Sequence, residues 1–241
     1  MAIWMTLLLL TACGSTKVNT AQSRFYQSFV TRFNVFHNGN EAYKEGLSAQ
    51  EKSHKDNYME IIPLFPISKE STRNAGSGNF DKAIEKSQKA IKLHSIKQKP
   101  KKKAGRTLTE EDKLWYAKKE YNPFLHNAWM LMGKAQFHKG EFLEAASTFS
   151  YITRLYSEDP KIVAEARMRM AQCYAELEWN YEADNLLSQM GRDSIPYQLA
   201  EEYDAIMASH LLRQEQFAEA LPYLEKAVKR SGRTKKQKTR E

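Results

Sequence analysis

From Trp129 to Leu224 the apolar, small and polar positions recur in one order. Trp129, Met132, Gly133, Gly140, Phe142, Ala145 and Phe149 align with Arg167, Met170, Ala171, Glu178, Asn180, Ala183 and Leu187. Both align with Asp204, Met207, Ala208, Glu215, Phe217, Ala220 and Leu224. The first small positions, Gly133, Ala171 and Ala208, lie 38 and 37 residues apart. Apolar residues three and four apart predict two helices per block, and a period in the thirties predicts a solenoid of helical pairs. The reason for the small residues is steric. Gly or Ala at one position, with Ala145, Ala183 or Ala220 at the other, lets the paired helices approach closely.

Upstream the repeat decays. Gly78-Asn79-Phe80-Asp81-Lys82-Ala83, with Ala90 at the matching offset, predicts the second helix of a degenerate repeat over 80–96. Pro63, Pro66 and the Ser/Thr/Asn/Gly-rich stretch from Ser68 to Gly78 interrupt any helix before it, so 59–79 is expected to be an insertion. Phe25, Phe29, Val30, Phe33 and Phe36 form a stripe at helical spacing, expected to be core rather than a ligand cage. With Gly39 as a break and a polar helix over Glu41–Tyr58, 24–58 is predicted to be a helical hairpin opening an N-terminal unit of 24–96. Residues 97–108, with Pro100 and Gly105, form a basic linker. A helix should start near Thr109, with Glu110, Glu111 and Asp112 at the end where the helix dipole favours acid, and run to about Glu120. The main array is then 109–230. A basic tail, 231–241, stands where a polar capping helix normally closes an array, so the chain is expected to be part of a longer one.

Composition narrows the chemistry. The net charge of +8 comes from two runs, Lys97–Lys103 and Lys229–Arg240, and the rest is near neutral. Such runs suit solvated segments, anionic head groups or acidic partners, and no nucleic-acid partner is expected. His37, His54, His94, His126, His138 and His210 are scattered, and no metal-ligand spacing or nucleophile elbow occurs. Gly76-Ser77-Gly78 lacks the Lys-Ser/Thr of a phosphate loop and suits a turn. No catalytic residue, metal, cofactor or small-molecule substrate is expected, and the chain does not read as an enzyme. Cys173, in Met170-Ala171-Gln172-Cys173-Tyr174, is expected to be a buried inert thiol.

Three resemblances extend this. The repeating blocks resemble the tetratricopeptide repeat, best in the first, which implies an all-α, tetratricopeptide-like right-handed helical-hairpin solenoid. Its first helices would line a groove, with Asn127, Lys134, His138, Gln172 and Arg213 as partner-binding candidates. Met130 stands at a basic position of the carboxylate clamp of chaperone-binding repeats, so that ligand is disfavoured. Leu10-Thr11-Ala12-Cys13, after an apolar run of signal-peptide length, resembles the lipobox of bacterial lipoproteins. This implies a signal peptide over 1–12, a covalent lipid on Cys13 and a tether over 13–23. Finally, Thr31–Tyr43, Lys89–Lys97 and Glu120–Trp129, with Gly133-Lys134-Ala135, resemble the N-terminal part of the PorW/SprE lipoproteins. That family implies an outer-membrane, lipid-anchored scaffold facing the periplasm. Its partners would be ring, motor or translocon subunits of type IX secretion and gliding motility. The competing expectation is a helical-repeat lipoprotein that captures nutrients or glycans.

Overall fold

Several helix starts are written locally. Thr20 and Asp159 each accept hydrogen bonds from the backbone N–H groups of the turn they open, and Pro160 follows Asp159 at the first helical position. Thr109 and Asp112 form a reciprocal capping box. The computed structural model describes residues 18–101, 105, 107–193 and 195–238, with side chains as far as Arg230; Cys13, Lys102 and Lys103 lie outside them. Among the described residues the regular elements are helical and no strand forms.

Helix α1 (Ala21–Val30) passes through a π turn (Thr31–Phe36) into α2 (His37–Ser53). A short 3-10 turn (Pro66–Ser68) and α3 (Glu70–Arg73) lead to α4 (Ser77–His94). Then come α5 (Glu110–Ala117), α6 (Leu125–His138), α7 (Phe142–Leu155), α8 (Pro160–Glu176) and α9 (Asn180–Arg192). A 3-10 turn (Tyr197–Leu199) precedes α10 (Ala200–Arg213) and α11 (Phe217–Lys238). Chain neighbours pack in pairs: α6 on α7, α8 on α9, α10 on α11, with α4 against both α2 and α6. The leading helices also touch in sequence, α2 to α6, α6 to α8 and α8 to α10.

The small positions behave as the spacing requires. A Cβ built on Gly133 would stand 2.6 Å from the Phe149 ring, so α6 and α7 can be this close only with glycine there. Ala145, Ala171, Ala183, Ala208 and Ala220 are all fully buried. The three turns between paired helices are copies of one another. Gly140, Glu178 and Glu215 all have positive φ, at 87°, 60° and 59°. The next N–H in each turn, from Glu141, Trp179 and Gln216, reaches back to the carbonyl of Gln136, Tyr174 and Leu211, at 2.9–3.0 Å. This is the six-to-one bond of a Schellman ending, which favours glycine at the left-handed position.

Two expectations for the N-terminal unit are overturned. There is no hairpin within 24–58. The chain from Ala21 to Ser53 is one helical run through Gly39, because Gly39 is the point of close approach to α4, where a Cβ would meet Lys86 Cβ at 3.1 Å. The discontinuity falls earlier, at the π turn, where the Thr31 hydroxyl donates to the Gln27 carbonyl at 2.5 Å. The pairing partner of α2 is α4. The aromatic stripe is also not core: Phe25, Phe29 and Phe33 are 74%, 53% and 58% exposed. The buried face carries Gln27, Thr31 and Val35 instead. Its polar groups are satisfied, Gln27 against His94 at 2.6 Å and Thr31 by an N–H of Asn122 at 3.1 Å.

Glu120, 5% exposed, closes the excursion between α4 and α6. Its Oε1 accepts from the backbone N–H groups of Ile96, Tyr121 and Asn122 at 2.8–3.0 Å, and Oε2 from Ser95 Oγ. Asn122 adds an N–H to the His94 carbonyl at 2.9 Å. The later part of the insertion is also tied down. Ile67 is fully buried among Met130, Phe137, Phe149 and Cys173, and Ser68 Oγ donates to Glu176 at 2.6 Å. Cys173 is buried as expected, and burial pushes its thiol pKa far up, which keeps it protonated.

Candidate partner-binding face

The face made by the leading helices repeats its chemistry at fixed offsets. Asn127, Glu165 and Glu202 share one offset, and Lys134, Gln172 and Ser209 another. His138, Glu176 and Arg213 share a third. Neighbouring leading helices are cross-linked by charge. Lys134 on α6 pairs with Glu165 on α8 at 2.7 Å, Arg169 on α8 with Glu202 on α10, and Arg213 on α10 with Glu176 on α8 at 2.8 Å. Burial pushes the Glu165 carboxyl up, but the Lys134 ammonium beside it and Arg169 further off hold it below the usual range. A partly buried pair of this kind orients both helices as well as attracting them.

Two clefts open here, each of about 360 Å³. The first is bounded by Tyr43 of α2, Asn127, Met130 and Lys134 of α6, and Glu165 of α8. The second lies between Ile61, Leu64 and Ser68 of the insertion and Ser209, Leu212 and Arg213 of α10. Both clefts are lined by a mixture of apolar and polar or charged side chains.

The predicted groove residues divide between these surroundings. Asn127 and Lys134 share the first cleft, and Arg213 lines the second. His138 is half-buried and Gln172 buried, and neighbouring side chains engage both. The His138 ring lies against Tyr43 and Phe80, its Nδ1 is 3.0 Å from Gln50 Oε1, and its carbonyl accepts from Gln50 Nε2 at 2.6 Å. Burial, reinforced by the charges of Arg169 and Lys134, pushes its pKa down to about 3. Gln172 is buried and accepts from Arg169 at 3.3 Å. Both are therefore packing residues here, because α2 and Arg169 cover them.

Sequence reasoning missed Glu165, Glu176 and Tyr43. The first two were reachable by carrying the offsets of Asn127 and His138 forward by one repeat. Tyr43 was not, since α2 belongs to the degenerate unit. Among the described residues each tryptophan has its own aromatic neighbour: Trp115 meets Tyr121 edge-on, Trp129 meets Tyr151 at a tilt and Trp179 stacks with Tyr174. Among the described residues no group of three His, Cys, Asp or Glu could hold a metal ion, and no helix is long and apolar enough to cross a membrane. Neither a protein family nor a curated protein matches the sequence.

Proposed function

We propose that the chain is a tetratricopeptide-like solenoid acting as a non-enzymatic protein-interaction scaffold. Its face of leading helices grips a partner segment. The observation that carries this reading is the repeated turn at Gly140, Glu178 and Glu215 together with the sequential contacts of α2, α6, α8 and α10. Identical turns and closely packed small residues are how helical pairs stack into an array with one continuous face. Its clefts set Lys134, Glu165 and Arg213 among mixed apolar and polar walls, a pattern that suits a peptide with mixed charged and apolar side chains.

The resemblance of Leu10–Cys13 to a lipobox supports anchoring through Cys13 on the periplasmic side of the outer membrane. The resemblance to the PorW/SprE lipoproteins supports partners among the ring, motor or translocon subunits of type IX secretion and gliding motility. The test is in-cell crosslinking of an affinity-tagged copy, with mass spectrometry of what is recovered. Secretion subunits recovered from the native chain, and lost with Lys134→Glu plus Arg213→Glu, are the expected outcome. Recovery of sugar-uptake proteins alone, or recovery unchanged by the double variant, overturns the reading. Anchoring is checked separately: after a high-salt wash, Cys13→Ala should move a clearly larger share of the chain into the soluble periplasmic fraction than the native protein shows. An unchanged split between pellet and soluble fraction refutes the lipid anchor.

A further inference from the structure

Helix α1 presents its aromatics to the outside. The Phe25 and Phe29 ring centroids are 6.3 Å apart and those of Phe29 and Phe33 4.8 Å, so the rings form one continuous strip, and Tyr26 beside them is also exposed. Exposed strips of this size on a folded chain mark contact surfaces. The charge on α1 itself has one sign. Arg24 lies over the Trp115 ring at 5.0 Å, and Arg32 over Phe33 at 5.3 Å and Phe124 at 5.8 Å. No Asp or Glu occurs between Lys17 and Asn40.

The basic linker joins the same surface. Asn19 Nδ2 donates to the Gln98 carbonyl at 2.7 Å, which sets exposed Lys97, Lys99 and Lys101 beside the start of α1. The nearest acidic turn, that of α5, is partly neutralised by its own Lys113, 2.5 Å from Glu110.

We infer that the Phe25–Phe29–Phe33 face of α1, with Lys97, Lys99 and Lys101 at its edge, is a membrane-contact surface that lies on anionic phospholipid. Aromatic rings at the headgroup boundary with cations beside them are the composition that interfacial helices use. Spacing agrees with this. Four residues lie between Cys13 and Val18, five backbone steps with a reach of at most about 18 Å, so an acyl anchor at Cys13 would hold this face at the bilayer. That last point rests on the anchored reading proposed above; the exposed strip and its charge do not.

The test uses the full chain with Cys13→Ser, so that no acyl group contributes in any sample. It is mixed with phosphatidylcholine vesicles, with and without one-quarter phosphatidylglycerol, carrying a trace of a diazirine-bearing phospholipid. After irradiation, lipid adducts should appear on the tryptic peptide Phe25–Arg32. The variant Phe25→Ser, Phe29→Ser, Phe33→Ser should lower adduct yield at this peptide and vesicle partitioning by roughly tenfold or more, at unchanged helicity. Lys97→Gln, Lys99→Gln, Lys101→Gln should lower partitioning several-fold on phosphatidylglycerol vesicles only. Adducts confined to residues before Cys13, or a triple serine variant that partitions like its parent, overturn the inference. So does crosslinking from this strip in cells that captures protein and no phospholipid. Failure of the lipid anchor reads differently: an unacylated Cys13 in the mass spectrum of the native chain.

Discussion

Glu120 should be the most costly single carboxylate to remove, and its cost can be worked from its partners. Truncation to alanine withdraws the acceptor from three backbone N–H groups and one hydroxyl. Ser95 Oγ can turn elsewhere, and the Tyr121 N–H also reaches the Ile96 carbonyl at 2.9 Å. Two donors, the N–H groups of Ile96 and Asn122, then lose their acceptor inside a site where Glu120 is almost wholly buried. At about 1–3 kcal/mol for each orphaned buried donor, Glu120→Ala should cost roughly 3 kcal/mol. Glu120→Gln keeps Oε1 for the three N–H groups and can donate to Ser95 Oγ. Burial pushes the Glu120 carboxyl pKa up, while the bonds from Ser95, Asn122, Ile96 and Tyr121 pull it back without restoring the ordinary value. The charge itself therefore adds little, and the glutamine variant should lose less than about 1.5 kcal/mol. Urea unfolding followed by circular dichroism separates the two. With a slope of about 2–3 kcal/mol per molar, alanine should move the midpoint by roughly 1–1.5 M and glutamine by less than half of that. Equal losses would mean that the negative charge, not the acceptor geometry, holds the 95–96 and 120–122 strands of chain together. An alanine loss below 1 kcal/mol would mean that water replaces the carboxylate.

Other positions give sharper contrasts. Glu178→Gly or Glu215→Gly should each stabilise by up to about 1 kcal/mol, because exposed non-glycine residues there hold positive φ; lower melting temperatures for both would refute the strain argument. Gly133→Ala should destabilise by about 1–3 kcal/mol, since its Cβ enters the Phe149 ring, and a compensating Phe149→Leu should recover part of the loss in thermal unfolding. His138 has a folded pKa of about 3 against an ordinary 6.5, so the unfolded chain binds the proton first. Its contribution is whole above about pH 6.5 and is lost as pH falls toward 3. Stability should drop by about 2 kcal/mol between pH 7 and 5, with a flatter profile in His138→Gln. Equal stability at the two pH values would contradict the burial of that imidazole.

How much of this the sequence disclosed depends on how local the cause is. The paired helices from Leu125 on follow from apolar spacing, and the close approaches from Gly133 and the alanines, because each signal sits in the residues that make the contact. The left-handed turn was visible at Gly140 alone. Glu178 and Glu215 adopt the same backbone because the Schellman bonds impose it, and only the 38- and 37-residue offsets hinted at that. The α1 stripe was misjudged for a general reason. Periodicity shows that a helix has two faces, but not which of them meets the rest of the chain. Here the inner face is polar, since His94 and Asn122, far away in sequence, satisfy Gln27 and Thr31. In the same way, His138 and Gln172 were assigned to open groove because nothing near them reveals that Tyr43, Phe80 and Arg169 cover them. Asn127 and Lys134, at two different repeat positions, line one cleft.

The insertion carries a consequence for cooperativity. In an array whose units touch only their neighbours, stability is passed along in steps, and either end can fray while the rest stays folded. In this chain Ile67 and Ser68 make a different kind of link. They leave the α2–α4 unit and lodge against α6 and α8, with Ser68 bonded to Glu176 across 108 positions of sequence, while Phe65 packs toward the core shared by α8, α9 and α10. Opening the first unit therefore uncovers the middle of the molecule, and opening the middle releases the first. The described chain should thus melt as a single block.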